Sequence, residues 1–511
     1  MTLPPPTEWP VDDPLPDESA DLLHERATAT PDATAIVDTD RERTWSYAEF
    51  DHRVDEWCAG LARHVDPKGR RIAVLLPTGI EFATAYFAIA RRNGVVVPLN
   101  LRESDNVVER QVKQAAVDVT LCTSETERMA RSVTPTDAHV LSIDETDASD
   151  VTAFEPGDPS TDLATTAGID TDRLVLFTSG TTGDPKGVRL TRGNLLESAV
   201  GSAKRLGVET GDRWFVCLPM YHMGGLAPLV RSTLYGTTTV LQREFDARES
   251  ARELAAARVT GVSLAPTMLR RLLDEEWVPP ESLQFVLLGG APARPALIER
   301  CAALDVPVYP TYGTTETASQ ITTATPTEAF ANPDTVGRPL DGTSLTLLDD
   351  GVECAPEEVG EIVVEGPTVT PGYLDPDQTA AAFDDRGFHT GDVGYRDEAG
   401  RYFVVGRVDD QVVTGGENVQ PASVARTLES LSSVESAAVV GVPDDEWGQR
   451  VAAAVVPAHE GVTPARVRDA ARVDLADFAV PKTVRLVDSL PRTASGTIDR
   501  ETVGDLLSDD G

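Results

Sequence analysis

Thr178-Ser179-Gly180-Thr181-Thr182-Gly183-Asp184-Pro185-Lys186-Gly187-Val188 directly follows the apolar run Leu174–Phe177. Glycines let a backbone approach an anion closely and take positive φ, hydroxyls and amides donate hydrogen bonds, and a lysine brings a point charge to phosphate oxygens. A strand that runs into such a loop predicts a phosphate cradle, with ATP as the first candidate ligand. The GxxxxGK[ST] loop is excluded, because it needs glycine immediately before the lysine and Pro185 stands there instead. A plain flexible turn is the competing reading, and the rest of the chain argues against it.

Outward from this loop the chain alternates strands and helices. Arg71–Leu76 reads as a short apolar strand, Ile80–Arg92 carries apolar residues at helical spacing, Gly94 ends the helix, and Val95–Leu99 starts a second strand. This βαβ unit has counterparts downstream. Strands are expected at Trp214–Pro219, Val262–Ala265, Phe285–Leu288 and Val306–Tyr309, with helices at Pro266–Leu273 and Pro295–Ala303 between them. Alternation of this kind predicts a large α/β domain with mostly parallel sheets. Residues 145–172, rich in Asp, Thr, Pro and Gly, read as a surface connection. Around Gly391–Arg407 the texture turns to short strands, and a compact α+β pattern follows. We therefore expect a large domain over 1–407 and a small one over 408–511.

Composition bounds the function. The 511 residues are too many for one core. No apolar run reaches the length of a membrane span, and the N-terminus is proline-rich and acidic rather than basic then apolar, so we expect a cytoplasmic protein without membrane insertion. The five cysteines, Cys58, Cys122, Cys217, Cys301 and Cys354, lie far apart without CxxC pairs or nearby histidines, which argues against disulfides and zinc; Cys217 and Cys301 should pack as small apolar groups. The formal net charge is -38, and only Lys68, Lys113, Lys186, Lys204 and Lys482 are lysines. Nucleic acid is excluded as a partner. Acids spread along the whole chain imply a halophilic host, since molar salt shortens the Debye length to about 3 Å and screens the self-repulsion. Oligomeric state leaves no signal in the sequence.

Further motifs follow in order: Gly289-Gly290-Ala291-Pro292, Tyr312-Gly313-Thr314-Thr315-Glu316, Gly360-Glu361-Ile362, Thr390-Gly391-Asp392, Gly406-Arg407-Val408-Asp409 and Gly415-Gly416-Glu417-Asn418. Together with the opening loop, their order and spacing resemble the adenylate-forming superfamily of acyl-CoA synthetases, luciferases and peptide-synthetase adenylation domains, over nearly the whole chain. The resemblance implies an N-terminal adenylation domain and a mobile C-terminal domain, with ATP, Mg²⁺ and coenzyme A beside a small-molecule carboxylic acid. It implies that Lys186 and the loop Thr178–Gly183 face the outgoing pyrophosphate, that Glu316 holds Mg²⁺, and that Thr315 bonds the α-phosphate. Gly289–Pro292 with Tyr312 would take the adenine, Gly313 and Thr314 would also bind the nucleotide, Asp392 and Arg407 would take the ribose and Gly415–Glu417 the thiol side, with Asp409 as hinge. His222 would lie at the acyl pocket, although a core histidine bonded to backbone fits it equally well.

Within the superfamily, Ser319-Gln320, Thr414–Asn418 and Pro219–Gly225 resemble the o-succinylbenzoate:CoA ligases; benzoate-type and medium-chain acyl-CoA ligases stay open. One position departs from the pattern. The tail Pro491–Arg500 carries Thr497 where the resemblance calls for the lysine that bridges carboxylate and α-phosphate. Losing an ionised donor at a developing charge would slow adenylation roughly 10²- to 10⁴-fold unless another cation, such as Arg500 or Lys482, compensates. A non-catalytic binder of nucleotide or acyl-adenylate is the reading from another class.

Overall fold

The computed structural model describes residues 18–19, 21–159, 166–179, 185–414, 417–444, 447–492 and 498–508. The chain divides into two compact units, Met1–Leu345 with Val364–Phe388, and Thr346–Val363 with His389–Gly511.

Two large sheets dominate the described residues of the first unit, beside a short two-stranded pairing of Glu18–Ser19 with Ala167–Gly168. One large sheet contains β1 (Arg71–Leu75), which is followed by α1 (Ile80–Arg91) and β2 (Val95–Pro98). β3 (Asp172–Ser179) lies beside β2, and β4 (Pro185–Thr191) closes that edge as the antiparallel partner of β3. The other strands of this sheet run parallel, out to Thr152–Ala153 on the far edge. These strands read as unbroken apolar runs because both faces are covered: every residue of β2 is buried. α1 carries Phe82, Tyr86, Phe87 and Ile89 into the largest apolar cluster of this unit.

α2 (Arg192–Leu206) begins at a capping box in which the Thr191 hydroxyl accepts from the Asn194 amide and the Asn194 side chain accepts from the Thr191 amide. It lies against α3 (Met223–Tyr235). The second sheet has a parallel centre that includes β5 (Arg213–Val216), β6 (Gly261–Leu264), β7 (Phe285–Leu288) and β8 (Val308–Tyr312), with antiparallel strands at both edges. The expected strands and helices of this region are present with ends shifted by a few residues. Cys217 and Cys301 pack in its apolar cluster, where burial pushes each thiol up to about 12.

The second unit holds a meander that includes β9 (Gly387–Arg396) and β10 (Tyr402–Arg407), which pair antiparallel. A five-stranded sheet follows, whose core ladder joins Val434–Asp444 to Gly448–Pro457, with helices at Pro421–Ser430, Pro464–Ala471 and Arg500–Ser508. The architecture is the expected mixed α/β fold, with mostly parallel sheets in the large N-terminal part and a smaller α+β C-terminal part. Residues Val408–Asp410, beside the expected boundary between 407 and 408, form a turn after β10 in which Asp409 is exposed.

Candidate active site

β3 and β4 set Thr178 opposite Lys186 and Ser179 opposite Pro185, so both ends of the phosphate-loop candidate leave the sheet at one point. Gly180, Thr181, Thr182 and Gly183 lie outside the described residues, as does the side chain of Ser179. Lys186 is half-buried. A third segment locks onto β4: Val188 forms an antiparallel bridge with Tyr373, the Leu374 amide donates to the Gly187 carbonyl at 2.7 Å, and the Arg189 amide donates to the Gly372 carbonyl at 3.1 Å.

That segment carries Tyr373, which is 5% exposed. Its hydroxyl donates to Oε1 of Glu316 at 2.9 Å, and its ring centroid lies 5.6 Å from Nζ of Lys186. Lys186 and Glu316, far apart in sequence, thus share one aromatic wall, and the ring face turned to the ammonium adds a cation–π attraction. Glu316 sits in the 3₁₀ turn Thr315–Thr317 after β8, held by the Thr370 amide donating to its carbonyl at 2.7 Å. Two backbone features fix that turn. A Cβ on Gly313 would come 1.6 Å from the Ser319 carbonyl oxygen, so only glycine fits there. Ala318 and Ser319 take φ of 53° and 123°, conformations that cost about 1–3 kcal/mol each and concentrate at functional sites.

Gly289, Gly290, Ala291 and Pro292 leave the C-terminal end of β7, and Tyr312 ends β8 beside it. Gly289 comes so close to Thr311 that a Cβ would lie 2.7 Å from its Cγ2, whereas Gly290–Pro292 are exposed. Carboxyl ends of parallel strands are where open α/β sheets bind ligands. His222 precedes the first turn of α3, with its ring 4.8 Å from that of Tyr221. It reaches solvent on one side, while crowding by the surrounding protein and the charge of Arg102 push its imidazole below the ordinary histidine range.

Sequence reasoning passed over Arg231. It lies on α3, 4% exposed, with its guanidinium 5.2 Å from the Trp214 ring and Nη2 donating to Ser319 Oγ at 3.3 Å. No carboxylate pairs with it among the described residues, and Nε has no hydrogen-bond partner there. Burial pushes the guanidinium down from its ordinary range, though an arginine stays cationic at neutral pH. It borders a small recess with Trp214, Ser202, Asp212 and Phe285. A signal existed in the sequence, since Arg231 is the only charged residue of α3.

In the second unit, Arg407 Nη1 donates to Asp392 Oδ1 at 2.8 Å, and Asp392 is buried at the pairing of β9 with β10. Glu361 steadies β9 just before Asp392, accepting from the Gly391 amide at 3.1 Å and meeting His389 Nδ1 at 2.8 Å. Gly415, Gly416 and Thr497 lie outside the described residues, as does the side chain of Glu417. The two cations named as substitutes for the missing lysine both have contacts: Arg500 lies 2.7 Å from Asp410, and Lys482 Nζ 3.2 Å from the Trp447 ring centroid.

Among the described residues no cluster of three His, Cys, Asp or Glu side chains is built for a metal. Mg²⁺ needs none, because it commonly takes one or two carboxylates and completes its shell with phosphate oxygens and water. Glu316, close to a lysine and oriented by Tyr373, fits that role.

The fold and these motifs define a nucleotide-activating enzyme class. The AMP-binding enzyme family matches residues 23–374 and the AMP-binding enzyme C-terminal domain matches residues 424–497; the chain belongs to this family. It is 36% identical over 490 residues to 2-succinylbenzoate–CoA ligase of Bacillus cereus (strain AH820), covering 95% of this chain and 98% of that one. Among solved structures it is similar to o-succinylbenzoate CoA synthetase from Bacillus subtilis in complex with the acyl-adenylate intermediate OSB-AMP, at 33% identity and a TM-score of 0.86, over 95% of this chain and 98% of that one. The same synthetase in complex with ATP and magnesium ion gives a TM-score of 0.87 at 33% identity, over 96% and 99% of the two chains.

Tyr373→Phe removes the hydroxyl from Glu316 and keeps the ring beside Lys186. We expect the Mg²⁺ concentration for half-maximal ATP binding to rise about tenfold, the equivalent of roughly 1.4 kcal/mol for a hydrogen bond to a charged group. An unchanged Mg²⁺ requirement in titrations with ATP would show that Glu316 does not depend on this contact.

Proposed function

We propose that this chain is an ATP-dependent, AMP-forming acid:CoA ligase that activates 2-succinylbenzoate, a step of menaquinone biosynthesis. The observation that carries the choice of acid is Arg231. A buried guanidinium without a carboxylate partner is costly, and it borders a recess. An acid with two carboxylates answers both needs: one is activated while the other pairs with Arg231 and pays for its desolvation. Benzoates and fatty acids, with a single carboxylate, leave Arg231 unpaired.

In the first step the substrate carboxylate attacks the α-phosphate of ATP and pyrophosphate leaves; in the second the thiol of coenzyme A attacks the acyl-adenylate and AMP leaves. The residues divide the work by charge. Lys186 and the loop from Thr178 neutralise the departing phosphates, Glu316 supplies the metal carboxylate, and Thr315 donates to the α-phosphate. Gly289–Pro292 and Tyr312 offer backbone and a ring to a flat base. Asp392, fixed by Arg407, accepts from ribose hydroxyls, and His222, kept neutral, borders the acid without adding charge. Between steps the small domain, 408–511, would turn about Asp409 and bring Gly415–Glu417 to the thiol. Catalysis of this kind is positioning plus charge stabilisation.

Thr497 favours a second reading, a binder of nucleotide or acyl-adenylate without turnover. ATP–pyrophosphate exchange separates the two, since exchange dependent on one acid requires the ligase. Thr497→Lys should raise the exchange rate roughly 10- to 100-fold if the missing charge limits adenylation; an unchanged rate would show that another group supplies it.

With 2-succinylbenzoate, benzoates and fatty acids compared by CoA-thioester formation, succinylbenzoate should show the highest kcat/KM. Arg231→Met should lower that value about 100-fold for succinylbenzoate, in line with loss of a buried ionic contact of roughly 2–3 kcal/mol, and much less for benzoate. Arg231→Lys, which keeps the charge, should recover part of the loss. Equal rates across the panel would sink the assignment.

The net charge of -38 supports a protein that works in concentrated salt and in the cytoplasm of a halophile. Activity and melting temperature should both rise between 0.1 and 2 M KCl, and a fall in both would count against it.

A further inference from the structure

A second recess in the first unit lies apart from the residues discussed above. It opens beside α1 and α2, and two arginines border it. Arg173, on β3, is 7% exposed and Arg192, the first residue of α2, is 8% exposed. Nη2 of Arg173 donates to Asn93 Oδ1 at 2.6 Å, and Asn93 is itself anchored by donating to the Thr166 carbonyl at 3.0 Å. Nη1 of Arg173 has no hydrogen-bond partner among the described residues. Burial and the nearby charge of Arg192 push the Arg173 guanidinium below its ordinary range.

The carboxylate that borders the same recess is committed elsewhere. Asp21 pairs with Nε of Arg91 through one oxygen and caps the following helix through the other, accepting from the Leu23 amide at 3.0 Å. Tyr86 from α1 also borders it, its phenol near enough to Arg173 for the two to interact, and the rest of the wall is apolar: Phe87 from α1, Leu195 and Leu196 from α2, and Val230 from α3. A cationic end with an incompletely bonded guanidinium thus meets an apolar body within one recess. Guanidinium groups recognise planar carboxylates through paired N–H donors. A bare, strongly hydrated anion would reach Nη1 of Arg173 and leave the apolar walls wet, whereas a carboxylate on a ring or short chain matches both ends.

We propose that this recess is a binding site for a small carboxylate with an apolar body, its carboxylate on Arg173 and Arg192 and its body against Phe87 and Val230. The site is distinct from the recess at Arg231 and does not depend on the reaction assigned above.

Benzoate serves as the probe, titrated calorimetrically at one fixed salt concentration into the full chain. Arg173→Gln should weaken binding at least tenfold, Arg173→Lys should stay within threefold of wild type, and Arg231→Met should leave this binding event unchanged. Inorganic phosphate should compete at least tenfold more weakly than benzoate. Absence of benzoate binding to the wild type, or loss in Arg231→Met with retention in Arg173→Gln, overturns the proposal; so does phosphate binding as tightly as benzoate. A crystal soaked with 4-bromobenzoate gives a reading free of variants: anomalous bromine signal between Phe87 and Val230 supports the site, and signal confined to the Arg231 recess rejects it.

Discussion

The hydrogen bond from Tyr373 to Glu316 is the contact on which the first unit's chemistry turns, because it ties together segments that the chain supplies far apart. Val188 bridges Tyr373, the Gly187 carbonyl accepts from the Leu374 amide, and the Glu316 carbonyl accepts from the Thr370 amide. The lysine strand and the acidic turn therefore cannot move independently of residues 370–374. Gly187 makes the closeness possible, since a Cβ there would lie 2.7 Å from Leu374 Cδ1. The cation lies over the face of the Tyr373 ring and the carboxylate is held at its hydroxyl, so both are tied to one side chain without an ion pair between them among the described residues.

How much of this was legible in the sequence follows from the range of the interactions. The βαβ order and the turn carrying Glu316 are local patterns, set by apolar period and by glycine where a side chain cannot fit, and the structure places them close to where the sequence does. Tyr373 and Arg231 were not legible in the same way. Tyr373 matters through partners at 188 and 316, and pairing across such separations depends on sheet order, which no local pattern encodes. Arg231 stood out only as a lone charge on an apolar helix, and a lone charge does not say whether its partner is protein or ligand. The pairing of Asp392 with Arg407 lies between these cases, since two short adjacent strands carry both residues.

The chain has 83 acidic residues against 45 basic ones, yet its deeply buried cations are all arginines: Arg26, Arg91, Arg173, Arg192 and Arg231 are each less than a tenth exposed. This follows from hydration. A guanidinium is weakly hydrated, planar and always charged, so it loses less on leaving water than an ammonium and can spread its donors over several acceptors. Arg91 uses this to gather Asp21, Asp51 and Asp55 around a centre that is 1% exposed at the side chain. Two of the lysines sit beside an acid at the surface, Lys113 beside Glu109 and Lys204 beside Asp341, whereas Lys482 lies against the face of Trp447.

Two buried arginines at α3 show why partners, rather than burial, separate structure from function. Arg26 donates from Nε to the Thr233 carbonyl at 3.1 Å and from Nη2 to the Leu234 carbonyl at 2.5 Å, covering the last turn of α3 just before Gly236 takes a left-handed conformation. Carbonyls at a helix C-terminus carry partial negative charge, so this cation finds acceptors in the backbone. Arg231, on the same helix and about as deeply buried, meets a serine hydroxyl and the face of a tryptophan. Neither neutralises a charge. The difference in free energy between the two environments is stored in the unliganded protein, and a ligand that brings a carboxylate to Arg231 recovers it on binding. That is the physical form a specificity determinant takes when the protein itself supplies only half of an ion pair.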